Sequence, residues 1–116
     1  MIPQIGSPVT FTSQLKNLFK KGKIKNIKGI YGEPLEIKNV SDEHIIPKSL
    51  GGSNKQGNIA LASKELNNAR GNKPITDYVT PQMVIDYLEQ FKGVRMQGFN
   101  GDKYYEDIIH TFSTLA

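Results

Sequence analysis

The chain predicts an α+β domain in which a strand, loop, strand and helix unit is wrapped by one helix before it and two after it. Three observations carry this. Apolar residues recur at three- and four-residue steps near residues 10–21, 81–92 and 102–114. Short stretches at 35–40 and 58–63 read as strands, and a polar, glycine-containing stretch at 47–57 is too long for a tight turn. With 116 residues there is room for one domain, and an apolar content of 37% with 11 glycines and 6 prolines predicts a small, loop-rich core.

The first helix places Phe11, Leu15, Leu18 and Phe19 on one face, with Thr12 or Ser13 available as N-cap and Gly22 as a stop. Residues 24–30 alternate imperfectly and read as a strand or an irregular ribbon. A turn at 31–34 leads into the strand at 35–40, which delivers the chain to Asp42, Glu43 and His44. Beyond the loop, the strand at 58–63 feeds a helix over 64–72, which Gly71 interrupts and which closes before Pro74. Thr80 as N-cap and Pro81 at the first helical position open the next helix, which buries Met83, Val84, Tyr87, Leu88 and Phe91 and ends at Gly93. A turn at 98–101 precedes the last helix, with Tyr105, Ile108, Ile109 and Phe112 as its stripe. The aromatic residues Tyr87, Phe91, Tyr104, Tyr105 and Phe112 are assigned to the core, and His110 has no role.

Without cysteine the chain has neither disulfides nor thiolate zinc sites. No apolar window reaches membrane-spanning length and the first residues lack a secretory pattern, so the expectation is a cytoplasmic protein without membrane contact. The net charge is +4, and Lys16, Lys20, Lys21, Lys23, Lys25 and Lys28 fall in a stretch free of acids. Such a stretch suits a polyanion, and equally suits a solvated helix end.

The chemistry concentrates at residues 42–71. Hydrolysing a phosphodiester requires a group that activates water and another that absorbs charge on the leaving oxygen. A neutral imidazole does the first near neutral pH, and a hard divalent cation held by oxygen ligands does the second. His44 stands next to Glu43, with Asn58 and Asn67 following it 14 and 23 positions on.

This order, with Ile45, Ile46 and Pro47 after the histidine, the glycine pair Gly51 and Gly52, and nine positions from Asn58 to Asn67, resembles the HNH endonuclease family over about residues 30–75. The resemblance implies a ββα-metal unit and a DNA endonuclease of the small, phage or mobile-element kind, using one Mg²⁺ or Mn²⁺. Carried over by position, Glu43 and Asn67 are the metal ligands, His44 the general base, Asn58 the residue that holds the loop, and Arg70 a phosphate or leaving-group contact. Lys48 and Lys73 are candidate phosphate contacts, and Lys20, Lys21 and Lys23 belong to the lysine-rich segment that would face nucleic acid.

Two departures stand out. Glu43 occupies a place more often held by aspartate, which leaves Asp42 as the alternative ligand. Many relatives carry a zinc site at positions that here hold Gly29 or Ile30, Gly32, Ser63 and Leu66. No structural zinc is expected, so packing has to close that corner. Without a recognition module, cutting should be nicking or weakly sequence-specific unless a dimer or another protein adds specificity. The competing readings are a noncatalytic protein of the same fold that binds nucleic acid or inhibits a protein partner, and a nuclease acting on RNA.

Overall fold

A computed structural model of the chain describes residues 11–96 and 98–115. The described residues form an α+β structure with four α-helices and two small antiparallel sheets. Helix α1 (Phe11–Lys20) comes first, then strand β1 (Val40–His44). A long loop with two 3-10 turns leads to β2 (Ile59–Ser63), and α2 (Lys64–Arg70) follows at once. Helix α3 (Pro81–Glu89), a hairpin of β3 (Arg95–Met96) and β4 (Phe99–Asn100), and α4 (Gly101–Ser113) complete the order.

Helix α1 buries Leu15 and Leu18, with Phe19 partly buried beside them. Its expected start at Thr10 lies outside the described residues. Thr12 and Ser13 fall inside the helix and are not its caps. The end comes where expected, with the Lys23 N–H reaching back to the Leu18 carbonyl at 2.9 Å across Gly22. Residues 24–30 form an irregular ribbon that buries Ile27 and Ile30, with one bridge between Lys28 and Pro34.

The strand expected at 35–40 is not formed; the strand begins at Val40. Asn39 is the reason. Its Oδ1 accepts from the Glu36 N–H at 3.1 Å, while the N–H groups of Asn39 and Val40 both reach the Glu36 carbonyl. An asparagine that bonds nearby backbone in this way competes with the sheet ladder and makes a turn.

Strands β1 and β2 pair antiparallel, with Glu43 opposite Ala60 and His44 opposite Ile59. All five residues of β2 are buried, so its unpaired edge needs partners for its polar groups. They come from four places. The Ile30 N–H donates to the Leu61 carbonyl at 2.9 Å, and the Leu61 N–H donates to the Tyr87 hydroxyl at 2.9 Å. The Tyr104 hydroxyl donates to the Ile59 carbonyl at 2.8 Å and lies 2.7 Å from that of Tyr87. The Ser63 N–H donates to Glu33 Oε2 at 2.7 Å. Two tyrosines on α3 and α4 thus finish a sheet edge, and burial drives the Tyr87 phenol well above its ordinary pKa.

The corner formed by Gly29 and Ser63 is closed by Glu33. Besides meeting Ser63, this residue's carbonyl accepts from the Gly29 N–H at 2.7 Å. Ser63 is also the N-cap of α2, its Oγ accepting from the Leu66 N–H at 3.3 Å.

Helix α3 is capped by Thr80, whose side chain accepts from the Met83 N–H at 3.2 Å, with Pro81 first. Of the turn expected at 98–101, Gly98 is a turn residue, while Phe99 and Asn100 form a strand that runs straight into α4 at Gly101. Asn100 caps α4 through bonds from the Asp102 and Lys103 N–H groups. Gly101 sits against Phe91, where a Cβ would run into the Phe91 carbonyl. The large buried side chains of α4 are Tyr104 and Ile108, while Tyr105, Ile109 and Phe112 pack at the margin. Among the described residues no helix is long and apolar enough to cross a membrane.

Candidate active site

Where β1 leaves the sheet, a cleft of about 280 Å³ opens between the strand end, the following loop and α2. Glu43, His44, Lys48 and Asn67 line it, together with Pro47 and Ser49. Four residues that the sequence singles out therefore share one cavity. Asp42 does not, because its carboxylate lies 3.2 Å from Lys16 Nζ on α1. This geometry favours Glu43 over Asp42 as the acidic group of the cleft.

Glu43 is 2% exposed and Arg70 1% exposed. Arg70 Nη1 lies 3.1 Å from Glu43 Oε1, and the Tyr31 hydroxyl donates to Glu43 Oε2 at 2.6 Å. Burial raises the Glu43 pKa; the bond from Tyr31 and the Arg70 charge oppose that rise. The same burial, with Glu43 beside it, pushes the Tyr31 phenol upward.

The resemblance implies that Arg70 meets a phosphate or the leaving group, whereas in the structure Arg70 is buried. Its guanidinium turns inward and donates to the carbonyls of His44 at 2.7 Å, Ile45 at 2.9 Å and Lys73 at 2.7 Å. The physical reason is local. Backbone carbonyls at the end of β1 need donors, and the five N–H groups of one arginine supply them. Lys73 stays exposed, its Nζ 3.3 Å from the Ala69 carbonyl.

Asn58 holds the loop between the strands. Its Oδ1 accepts from the Ile46 N–H at 2.8 Å, and its Nδ2 donates to the carbonyls of Ile46 and Ser53 at 3.0 and 2.9 Å. Gly52 packs so closely beneath this knot that a Cβ would collide with the Ile46 carbonyl. On the outer side, Gln56 Nε2 donates to Asp107 at 2.9 Å and the Thr111 hydroxyl donates to the Gly57 carbonyl at 2.6 Å, fixing the loop to α4.

Asn67 turns its Nδ2 to the Asp42 carbonyl at 2.8 Å and to Ser41 Oγ at 3.0 Å. Both donors being engaged, its Oδ1 is the group left to accept or to ligate. Asn68 is exposed on α2. His44 Nε2 lies 2.8 Å from Asn54 Oδ1. Sequence reasoning finds neither Asn54 nor Tyr31: one is a polar residue in a polar loop, the other a tyrosine twelve positions before the carboxylate it meets. Lys20, Lys21 and Lys23 are exposed at the end of α1, and His110 is exposed on α4.

Carboxylate and carboxamide oxygens are the donor types a hard divalent cation takes. Each Glu43 oxygen makes one hydrogen bond and keeps lone-pair capacity, and Asn67, whose Nδ2 is engaged by Ser41 and the Asp42 carbonyl, lines the same cleft. Mg²⁺ keeps several waters and needs few protein ligands. Among the described residues no group of three or more His, Cys, Asp or Glu side chains is arranged to hold a metal, and the cleft offers one carboxylate, from Glu43, beside the His44 imidazole and the carboxamides of Asn67 and Asn72. No family model matches the chain, and no curated protein matches it significantly.

Proposed function

We propose that the protein is a divalent-metal-dependent endonuclease of the HNH, or ββα-metal, kind, acting on DNA. The observation that carries this reading is the single cleft shared by His44, Glu43, Asn67 and Lys48 at the end of β1. Glu43 and Asn67 would hold one Mg²⁺ or Mn²⁺, which when bound supplies Lewis-acid stabilisation of charge on the phosphate and the leaving oxygen.

The chain's own residues do the rest. His44 removes the proton from the attacking water, whose oxygen bonds to phosphorus while the bond from phosphorus to the 3′ oxygen breaks, and the leaving oxygen takes a proton from solvent. The products are a 5′-phosphate and a 3′-hydroxyl. Lys48, exposed on the cleft wall, meets a phosphate oxygen. Arg70 acts from behind, balancing the buried Glu43 charge and fixing the backbone of His44 and Ile45.

Incubating supercoiled plasmid with the protein, with and without added Mg²⁺ or Mn²⁺, tests the reading. Metal-dependent nicks that DNA ligase can reseal are expected, because resealing requires a 5′-phosphate beside a 3′-hydroxyl. A second reading is favoured by one observation, the engagement of both Glu43 oxygens by Arg70 and Tyr31. On that reading the carboxylate is structural and the protein binds DNA or a protein partner without cutting. DNA binding undiminished by chelator, with no nicks under either metal, would establish it.

A further inference from the structure

Resting on the nuclease reading, we infer that Asn54 is the positioning residue that holds the imidazole of His44 for its work as a base. Asn54 Oδ1 lies 2.8 Å from His44 Nε2. An amide oxygen only accepts, so this bond places the imidazole proton on Nε2 and leaves the lone pair on Nδ1. No other hydrogen bond to the His44 ring exists among the described residues. The tautomer is therefore decided by a single side chain.

Asn54 is exposed, yet the chain on either side of it is fixed. Before it, the Ser53 carbonyl accepts from Asn58 Nδ2 at 2.9 Å, and after it the Lys55 N–H donates to Ser53 Oγ at 3.2 Å. The loop is held further along by α4, through Gln56 with Asp107 and Thr111 with Gly57. Asn58 thus shapes the loop, the loop presents Asn54, and Asn54 orients the base. Among the described residues the Asn54 side chain hydrogen-bonds only the imidazole, and it is absent from the cleft wall, so it acts through His44 and not on the substrate.

The test reads the imidazole directly. Long-range ¹H–¹⁵N spectra of the full chain are recorded at pH about 9, well above the ordinary imidazole range. His110 is the only other histidine, so it serves as an internal reference. In the wild type, His44 should show Nε2 as the protonated nitrogen. In Asn54→Ala its signals should move toward the mixed-tautomer values of free histidine, and Asn54→Asp, which keeps an acceptor, should restore the wild-type pattern. In parallel, kcat for plasmid nicking should fall by about tenfold in Asn54→Ala with KM little changed, the scale expected when an orienting partner is lost. Identical His44 signals in wild type and Asn54→Ala, or a wild type protonated on Nδ1, would overturn the inference. A wild type with the Asn54-dependent tautomer that cuts nothing supports the orientation and overturns the nuclease reading instead, so the two failures are distinguishable.

Discussion

Arg70 and Glu43 form an ion pair at 3.1 Å with both side chains almost fully buried, and the same guanidinium bonds three backbone carbonyls. Removing one member of such a pair leaves a charge without compensation. Arg70→Met should therefore lower stability by about 3–5 kcal/mol, read as a shift of the denaturant midpoint. Arg70→Lys should recover little of it, because an ammonium cannot span four acceptors in the geometry of a planar fork. A wild-type midpoint in Arg70→Met would show that the pair contributes nothing to the fold.

Tyr87 and Tyr104 make a second buried polar system, with a different expected outcome. Tyr87→Phe leaves the Leu61 N–H without its acceptor, and Tyr104→Phe leaves the Ile59 carbonyl without its donor. Each should cost about 1–3 kcal/mol, the penalty for orphaning a buried polar group. Because the two hydroxyls touch each other, the double variant should cost less than the sum of the singles. Strict additivity in a double-mutant cycle would contradict that coupling.

Helix α3 is legible in the sequence because its signals are local: a threonine cap, a proline at the first position and an apolar stripe. The end of α1, the loop and the order of β2 and α2 are legible for the same reason. What is not legible depends on distant partners. Asn39 moves the start of β1 by folding back on Glu36, against the alternation of its neighbours. The edge of β2 is finished by hydroxyls from α3 and α4, which no strand pattern reveals. His44, Glu43 and Asn67, which the resemblance singles out, line one cleft. The inward turn of Arg70 is not legible in the sequence, because the order of residues along a helix says nothing of carbonyls left over on another strand.

Asn58 makes three hydrogen bonds to the loop backbone, one as acceptor and two as donor. Asn58→Asp keeps the acceptor but turns a second oxygen, and a buried charge, toward the Ile46 and Ser53 carbonyls, so it should weaken nicking and destabilise the chain at least as much as the alanine variant. Asn58→Ala loses all three, with a cost of about 1–3 kcal/mol on top of the lost activity. Circular dichroism melts alongside nicking rates distinguish the two effects. Full activity in Asn58→Ala would show that the loop does not need this knot.

The lysines at the end of α1 give a prediction about salt. If Lys20, Lys21 and Lys23 meet phosphates, the triple alanine variant should flatten the plot of log affinity against log salt by about 0.9 for each phosphate no longer neutralised. Fluorescence anisotropy with a labelled duplex in EDTA measures this without cleavage. An unchanged slope would return these exposed lysines to solvent.

The most direct measurement compares wild type with His44→Ala on supercoiled plasmid, each with Mg²⁺, with Mn²⁺ and with EDTA. His44 lies at the end of β1, its imidazole making one hydrogen bond to an exposed asparagine, so the substitution should leave the fold intact while removing the proposed base. Nicked or linear DNA that requires both a divalent metal and His44 is the predicted result. No cutting by a folded wild type under either metal, or equal cutting by His44→Ala, would contradict it.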